Sequence, residues 1–450
     1  MAIRSLRRTR AAPAGEPSPS RVGSRIHASV RGRRSGAVSI QMLVILVTVL
    51  FGFMGFAVDL GRLYLIRAEL KSAANSMALA AATQLNGTDA AQGTASTAAQ
   101  TARSSSGGFE LRYDFGSTPV GGTSGNFGSV VEEPQFFETA DGATGLEGTG
   151  GGAAATGTGP MRHVRVSVTA DAPTIFWRFL QVGQEGRVPI RVQAAAGVSA
   201  PLCVACGIES LAVPALDASD ADNFGLLAGT RYTLGYNCTG VPQPAALPGA
   251  TQRLAYLLIN RLNDAATTFA DEATQTLRIG AGGLPGSTVE TRSCVNVNAV
   301  ESVWAAATPL QCNQNRVAAQ VTGLLCGLAS RFETGTFSGC ENIAEIDSAL
   351  QGTQPDTDVA DVEDYTGYTG NGRRVLTLAI VDAITDPTAM TVLGFRQFLL
   401  EPVANSTNIT PLDNNGRFNA LYIGSQMPLK QGRFSGCSIS AGPGKVVLHQ

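Results

Sequence analysis

The feature that most constrains this chain is an uninterrupted apolar run near its N-terminus. Residues 36–58 read GAVSIQMLVILVTVLFGFMGFAV, 23 residues without a charged side chain. As a helix this run is about 34 Å long, enough to cross the roughly 30 Å hydrocarbon core of a bilayer. A cleaved secretory signal has a shorter apolar region, and this sequence continues as helix without opening into a cleavage site. The run therefore predicts a retained transmembrane helix.

The segment before this run, residues 1–35, is strongly basic. It contains nine arginines and one acidic residue, whereas the whole chain of 450 residues has a formal net charge of −2. A nucleic-acid-binding arm also carries positive charge, but this segment has no aromatic side chain on which a base could stack. An arginine excess favours the cytoplasmic side of a span. We therefore expect a cytoplasmic tail, no nucleic-acid partner, and export of residues 59–450.

The cysteines all lie beyond the apolar run. They are Cys203, Cys206, Cys238, Cys294, Cys312, Cys326, Cys340 and Cys437. An even number of cysteines in an exported segment favours disulfides, although sequence alone does not choose among the pairings. Cys203 and Cys206 have the spacing of half a zinc site, but no second such pair and no nearby histidine accompany them. We expect disulfides, with Cys203 and Cys206 each bonded to a distant partner.

The sequence after the apolar run, residues 59–85, keeps a helical pattern. Its apolar positions recur at steps of three and four and therefore share one face. This seam consists of Leu63, Ile66, Leu70, Ala73, Met77 and Ala80. Two explanations are open: the seam packs on the chain's own domain, or it contacts a helix of a partner, either another copy of the chain or a different subunit. We expect the second, with Leu63, Ile66, Leu70 and Met77 as the partner-binding residues.

Composition divides the next part of the chain. Residues 86–160 are rich in Gly, Ser, Thr and Ala, which bury too little apolar surface to offset the entropy of ordering, and they predict a spacer or long loops. Residues 161–200 contain two runs of alternating apolar residues, His163–Thr169 and Val188–Ala194. This alternation predicts a small antiparallel sheet.

Residues 201–450 predict a cysteine-containing exported domain of mixed structure. Thr251–Phe269 and Asn315–Phe332 have the apolar spacing of amphipathic helices. Arg374–Asp382 and Thr391–Leu400 are β-rich runs around a polar turn and predict a buried hairpin. The predicted fold class is α+β: an N-terminal transmembrane helix that continues into an exported helix, then an antiparallel sheet with helices, stapled by disulfides.

The sequence lacks the residues of familiar active sites. Its three histidines, His27, His163 and His449, are far apart in the chain. It contains no HExxH, no GxSxG, no P-loop and no GxGxxG after a strand. We therefore expect neither enzymatic activity nor a cofactor.

An acidic run offers one candidate metal site. Its carboxylates belong to Asp356, Asp358, Asp361, Glu363 and Asp364. Calcium prefers oxygen ligands of this kind. The run lacks the glycine and the bidentate-glutamate spacing of a calcium loop, so a solvated acidic loop is the simpler interpretation.

The N-terminal sequence resembles a known family. The run RSGAVSI (34–40), the apolar span and the block GFAVDLGRLYLIRAELKSAAN (55–75) are similar to the N-terminus of TadE/TadG-like proteins of Flp (tight adherence) pilus assembly. Residues 164–196 are similar to how those proteins continue. Residues 369–382 and 420–450 resemble a longer, cysteine-bearing branch of the same group.

The resemblance implies a non-catalytic assembly component of a Flp pilus or a related secretion system. Such a protein is anchored in the bacterial inner membrane, has its bulk in the periplasm and contacts pilus-assembly or pilin-like subunits. Some larger members carry a von Willebrand-type domain with an Asp-x-Ser-x-Ser run, which this chain lacks. Gly36 is followed at the fifth position by Gln41 where prepilin processing wants glutamate, so we expect an uncleaved anchor. The alternative is an anchored envelope protein whose domain 201–450 binds a ligand or mediates adhesion.

Overall fold

The computed structural model describes residues 36–103, 129–145, 160–176, 187–237, 245–259, 294–301, 319–332, 343–351, 364–384, 390–401, 409 and 416–449. The predicted cytoplasmic tail, residues 1–35, lies outside this part of the chain. Two compact units are present, residues 1–58 and residues 59–450.

The elements are as follows in chain order. The helices are α1 (Gly36–Ala82), α2 (Ala91–Arg103), α3 (Ala140–Thr144), α4 (Ala319–Ala329) and α5 (Ile343–Gln351). The strands are β1 (Ser129–Val131), β2 (Gln135–Phe137), β3 (His163–Pro173), β4 (Arg187–Val198), β5 (Val204–Cys206), β6 (Leu211–Pro214), β7 (Arg231–Tyr236), β8 (Gln252–Leu258), β9 (Cys294–Asn296), β10 (Val300–Glu301), β11 (Val375–Val381), β12 (Met390–Leu400), β13 (Phe418–Gly424), β14 (Gln431–Arg433) and β15 (Val446–His449).

Helix α1 contains the predicted span. Its large apolar side chains from Ile40 to Val58 are exposed, as expected of a helix that is apolar all round and meets lipid. Within the described residues, one helix is long and apolar enough to cross a membrane, Ser39–Ala82, with a mean hydropathy of 2.4 in its most apolar window. The same helix continues without a break to Ala82, as the sequence predicts.

The first layer of residues 59–450 is a helix-covered antiparallel sheet. Its strand order is β1–β3–β4–β15, with β2 also paired to β3. Strands β3 and β4 pair in the predicted antiparallel sheet, in which Val164 lies opposite Ala196 and Val168 opposite Val192. Alternate residues of these two strands, including Val166 and Ala194, are buried against α1 and α2. The alternation that predicted the sheet therefore reflects one helix-covered face.

The structure corrects the partner-binding prediction for the seam of α1. Ile66, Leu70 and Met77 are each at most 5% exposed and belong to the core formed with the sheet, and Leu63 is packed against that core. The seam is therefore covered by the chain's own domain, the explanation that the sequence analysis did not favour. The physical reason is that the apolar face of the β3–β4 hairpin needs a partner of its own, and the seam supplies it.

The prediction of a spacer over residues 86–160 does not hold in the described part of that stretch; residues 104–128 and 146–159 lie outside the described residues. This stretch contains α2, β1, β2 and α3. In α2, Ala91, Ala95 and Ala99 recur every four residues and are buried in the same core as α1. Small side chains allow such close helix packing, so the composition that predicted loops here serves a packed helix.

The second sheet of residues 59–450 is a closed ring of strands. The order β12–β11–β6–β8–β7–β13 returns to its start because β13 also pairs with β12, and β10 adds to the free part of β12. Most neighbours are antiparallel, whereas β11–β6 and β7–β8 are parallel. All seven residues of β11 are buried, which explains its continuous apolar sequence. The predicted buried hairpin is confirmed as β11 and β12.

One predicted helix is wrong in its described part. Residues 252–258 of the predicted helix Thr251–Phe269 form strand β8, and residues 260–269 lie outside the described residues. The sequence fits both the helical and the strand spacing. Leu254, Leu257 and Leu258 are three and four residues apart, as in a helix. Leu254, Tyr256 and Leu258 are two residues apart, as in a strand. Pairing with β6 on one side and β7 on the other decides in favour of the strand. The helix predicted over Asn315–Phe332 is confirmed as α4.

A small third sheet carries two disulfides. Strand β5 is central, with β14 on one side and β9 on the other. Cys206 of β5 is bonded to Cys294, which lies directly opposite on β9. Cys203 is bonded to Cys437, 234 residues later. Both bridges join distant partners as predicted; Cys326 is also disulfide-bonded, and Cys238, Cys312 and Cys340 lie outside the described residues.

Candidate functional site

Asp59 is the first charged residue after the apolar run, and it is buried. The whole residue is 3% exposed. Oδ1 accepts a hydrogen bond from the backbone N–H of Ile175, and Oδ2 accepts one from the N–H of Phe176, both at 2.9 Å. A buried carboxylate is tolerated when such donors replace its water. Asp59 therefore clamps the part of α1 that follows the apolar run to the end of β3.

The clamped segment exposes two large apolar side chains. Ile175 and Phe176 follow β3 and are 46% and 45% exposed, whereas the preceding Thr174 is buried. Their backbone is held by Asp59, so the side chains are presented to the surroundings from a fixed position. We refer to Asp59, Ile175 and Phe176 as the hairpin clamp.

An open groove runs between α1 and β4 beside this clamp. Its volume is about 660 Å³. It is lined by Leu60, Gly61, Leu63, Tyr64 and Arg67 of α1 and by Pro189, Ile190 and Arg191 of β4. Leu60, Tyr64 and Leu65 are among the most exposed apolar residues of α1 beyond Val58. The exposed apolar surface of α1 thus extends past the uncharged run.

A second cavity of about 520 Å³ shares Arg67 and Arg191 with this groove and has a basic lining; we call it the basic groove. Its cationic side chains are Arg67 and Lys71 of α1, Arg165 of β3 and Arg191 of β4, and His449 of β15 also lines it. The described residues that line this cavity include no acid. Its electrostatic potential therefore favours an anionic group.

Local contacts orient the cations of the basic groove. Lys71 Nζ donates to the backbone oxygen of Gln193. The Arg165 guanidinium stacks 4.6 Å from the centre of the Phe137 ring and donates to the backbone oxygens of Gly142 and Gly145. Because these partners are carbonyls and an aromatic ring, they position the positive charges without neutralising them.

Arg191 has an acidic partner. Its Nη2 lies 2.9 Å from Glu132 Oε2, and both side chains are more than 40% exposed. An ion pair at this exposure contributes little to stability because water competes for both groups. The pair is therefore available for exchange with another anion.

Two histidines that are far apart in the sequence meet on this sheet. The rings of His163 and His449 lie 5.0 Å apart, edge to face. Burial, together with the neighbouring His449, lowers the pKa of His163 to about 4, and burial also lowers the pKa of His449. Gly197 lies opposite His163 on β4 and has no Cβ to displace the ring. The pair is therefore neutral at physiological pH and packs as part of the sheet.

The predicted calcium site is represented by one residue. Asp364 accepts a hydrogen bond from the Thr366 N–H at 3.0 Å and caps a short 3₁₀ turn, Tyr365–Gly367. Asp356, Asp358, Asp361 and Glu363 lie outside the described residues. Within the described part of the chain, no group of three or more His, Cys, Asp or Glu residues is placed to hold a metal.

The buried charges of the strand ring have structural partners. Arg331 follows α4 and forms an ion pair with Glu209 at 1% side-chain exposure on both sides. It also donates to the backbone oxygen of Val375 at 3.2 Å. Arg396 stacks on Phe224, 4.4 Å from the ring centre, and donates to the backbone oxygens of Ala221 and Asp222. These contacts fasten a helix and a loop to the ring.

Sequence reasoning did not identify the hairpin clamp or the basic groove. A signal for the groove existed: Arg165 and Arg191 occupy polar positions of the two alternating runs, and alternate positions of paired strands share a face. Asp59 carried no comparable signal, because its partners are backbone N–H groups 116 and 117 residues later.

Comparison with known proteins supports the resemblance noted in the sequence. Residues 36–84 match the family described as putative Flp pilus-assembly TadE/G-like. The matched segment consists of α1 and the two residues after it, and it contains Asp59, Arg67, Lys71 and the seam. No curated protein and no solved structure matches the chain.

Proposed function

We propose that this chain, whose residues 36–84 match the TadE/G-like Flp pilus-assembly family, is a non-catalytic assembly component of a Flp pilus or a related secretion system. In this proposal α1 is a single-pass anchor in the bacterial inner membrane, and the α+β domain lies in the periplasm. The observation that carries the proposal is that the family match coincides with one helix, which is exposed and apolar at its N-terminal end and packed on a sheet at its C-terminal end.

Two further observations support this arrangement. The arginine-rich segment 1–35 precedes the apolar run, and such a segment favours the cytoplasmic side. The disulfides Cys203–Cys437 and Cys206–Cys294 lie beyond the run, and disulfides persist in oxidising compartments such as the periplasm.

The partner-binding role moves from the seam to the basic groove in this proposal. The seam is buried in the chain's own core, whereas the groove is open and carries Arg67, Lys71, Arg165 and Arg191. A cluster of cations, of which Lys71 and Arg165 are held by local contacts, is suited to the carboxylates of a partner subunit. The proposed occupant is an acidic segment of a pilin-like or assembly subunit.

Crosslinking in native membranes tests this function. Cells producing the tagged full chain are treated with a crosslinker, and the attached proteins are identified by mass spectrometry. We expect pilus or pilus-assembly subunits in the wild-type sample and their loss in the double variant Arg67→Glu, Lys71→Glu. Arg433→Glu, a reversal of an exposed charge on β14, is the matched control and should retain the adducts.

A deletion strain separates this function from its alternative. Loss of surface pili on deletion, restored by the wild-type chain, supports an assembly role. Normal pilus number together with impaired attachment of cells to a surface contradicts it and supports an anchored adhesion or ligand-binding protein instead.

A further inference from the structure

We propose that the two residues directly after Thr174, at the C-terminal end of β3, form a second membrane contact, in which Ile175 and Phe176 enter the lipid interface while Asp59 holds their backbone against α1. This inference rests on the proposed membrane anchor. It adds to that anchor a point of the folded domain that touches the same bilayer, and it gives Asp59 a role as a positioning residue.

The position of the hairpin clamp in the chain is the first argument. Asp59 directly follows Val58, the last residue of the uncharged run. Both of its carboxylate oxygens accept backbone hydrogen bonds from the hairpin at 2.9 Å. If the uncharged run spans the bilayer, the backbone of Ile175 and Phe176 is therefore hydrogen-bonded to the residue that directly follows the span in sequence.

The exposure of the two side chains is the second argument. Nearly half of each is exposed, although both are large and apolar, and Thr174 beside them is buried. Apolar surface left in water costs free energy in proportion to its area, relative to an apolar environment. A lipid interface would remove this cost, and the fixed backbone means that little further conformational entropy is lost on insertion.

The hydrogen bonding of the Ile175 and Phe176 backbone N–H groups is the third argument. In water the N–H groups of an exposed loop form hydrogen bonds with solvent, but near hydrocarbon an N–H group without an acceptor is strongly unfavourable. Asp59 supplies one acceptor oxygen to each of the two N–H groups. The same two bonds stabilise a carboxylate placed next to an apolar span. The hairpin clamp thus provides acceptors for the two N–H groups near lipid, and it also stabilises the carboxylate beside the apolar span.

Continuity along α1 identifies the occupant as lipid. The exposed apolar surface of the helix runs through the span and continues at Leu60 and Leu65. The hairpin clamp lies at this continuation through Asp59. An aromatic side chain at such a level is the usual anchor at a membrane–water interface. A protein partner that covered Ile175 and Phe176 instead would be a different outcome of the experiment below.

Photo-crosslinking at three phenylalanines tests the inference in the full chain. Phe51, Phe176 and Phe434 are each replaced in turn by benzoylphenylalanine; they are 65%, 45% and 49% exposed. Native membranes are irradiated, and the peptides are analysed by mass spectrometry for lipid adducts. Phe51 reports the anchor, Phe176 the hairpin, and Phe434 an exposed aromatic residue of the C-terminal region. We expect lipid adducts at the first two positions and none at Phe434.

The outcomes separate the inference from the proposed function. Lipid adducts at Phe51 together with only protein adducts, or none, at Phe176 overturn the inference and leave the anchor standing. An absence of lipid adducts at Phe51 overturns the anchor itself. Equal lipid labelling at Phe176 and Phe434 also contradicts a specific contact, because both residues have similar exposure.

Variants of Asp59 then test its positioning role. In the chain with the probe at position 176, Asp59→Ala removes both acceptor oxygens and Asp59→Asn keeps one. We expect lipid labelling at 176 to fall to the level seen at Phe434 in the alanine variant and to an intermediate level in the asparagine variant. The disulfide Cys203–Cys437 should still form, which reports an intact fold. Unchanged labelling in Asp59→Ala, with the fold intact, would show that Asp59 does not position the hairpin.

Discussion

His163 makes the stability of the folded domain sensitive to acid. Its pKa falls from 6.5 to about 4 in the folded protein because the imidazole is buried beside His449. The unfolded state therefore binds a proton on this group at a higher pH than the folded state does. Stability is full above the unfolded pKa and decreases as the pH falls toward the folded value.

We predict that replacing His163 by glutamine reduces this part of the pH dependence. The melting temperature of the purified chain should fall more steeply in the wild type than in His163→Gln between pH 6.5 and about 4. Thermal unfolding followed by circular dichroism measures both curves. Parallel curves would contradict the assignment, because carboxylates, which also titrate in acid, are common to both proteins.

The candidate site was predictable from sequence only where its residues follow a local pattern. Arg165 and Arg191 occupy the polar positions of two alternating strands, so a shared face could have been inferred. The contacts of Asp59 could not have been predicted, because both donors are backbone N–H groups. Every residue except proline has such a group, so the donor residues carry no sequence signal. Lys71 likewise donates to a main-chain oxygen.

At the level of elements, the spacing of apolar residues predicted the strands well. It failed where one segment fits both the helical and the strand spacing. The hairpins β3–β4 and β11–β12 were predictable because alternation or continuous burial marks them clearly. Strand β8 contains both periods, and its neighbours in the ring are distant in sequence, so pairing overrode the helical pattern. Helix α2 was missed because its signal is alanine at every fourth residue and not apolar bulk.

The seam of α1 gives a prediction for that element. Leu70 is 4% exposed in the core between the helix and the sheet, whereas Tyr64 of the same helix is 74% exposed. Leu70→Ala should lower the free energy of unfolding by about 2–5 kcal/mol through the lost transfer energy and the cavity left behind. Tyr64→Ala should change it by less than about 0.5 kcal/mol.

Chemical denaturation of the two variants, with limited proteolysis as a second readout, measures this difference. A stable Leu70→Ala protein that fails to assemble with partners would contradict burial in the chain's own fold. It would restore the earlier interpretation of the seam as an interface.

At the scale of the whole molecule, the proposed topology makes a direct prediction. A reporter that is active only in the cytoplasm should be silent when fused after Gln450 and active when fused before Met1, because the basic segment 1–35 holds the N-terminus inside. Both fusions are measured in intact cells, and immunoblotting checks their amounts. Activity of the Gln450 fusion at a comparable protein level would reverse the orientation.

The closed ring of strands also determines the order in which its strands can pair during folding. The chain is synthesised from its N-terminus, so β6, β7 and β8 exist before β13, and the ring can close only once β13 has been made. Likewise, β4 can pair with β15 only after β15 has been made. Cys203 and Cys206 emerge together, long before their native partners Cys437 and Cys294. An oxidase that meets the growing chain therefore finds a non-native pair first. A bond formed between Cys203 and Cys206 at that stage would have to be exchanged before the two native bridges could form.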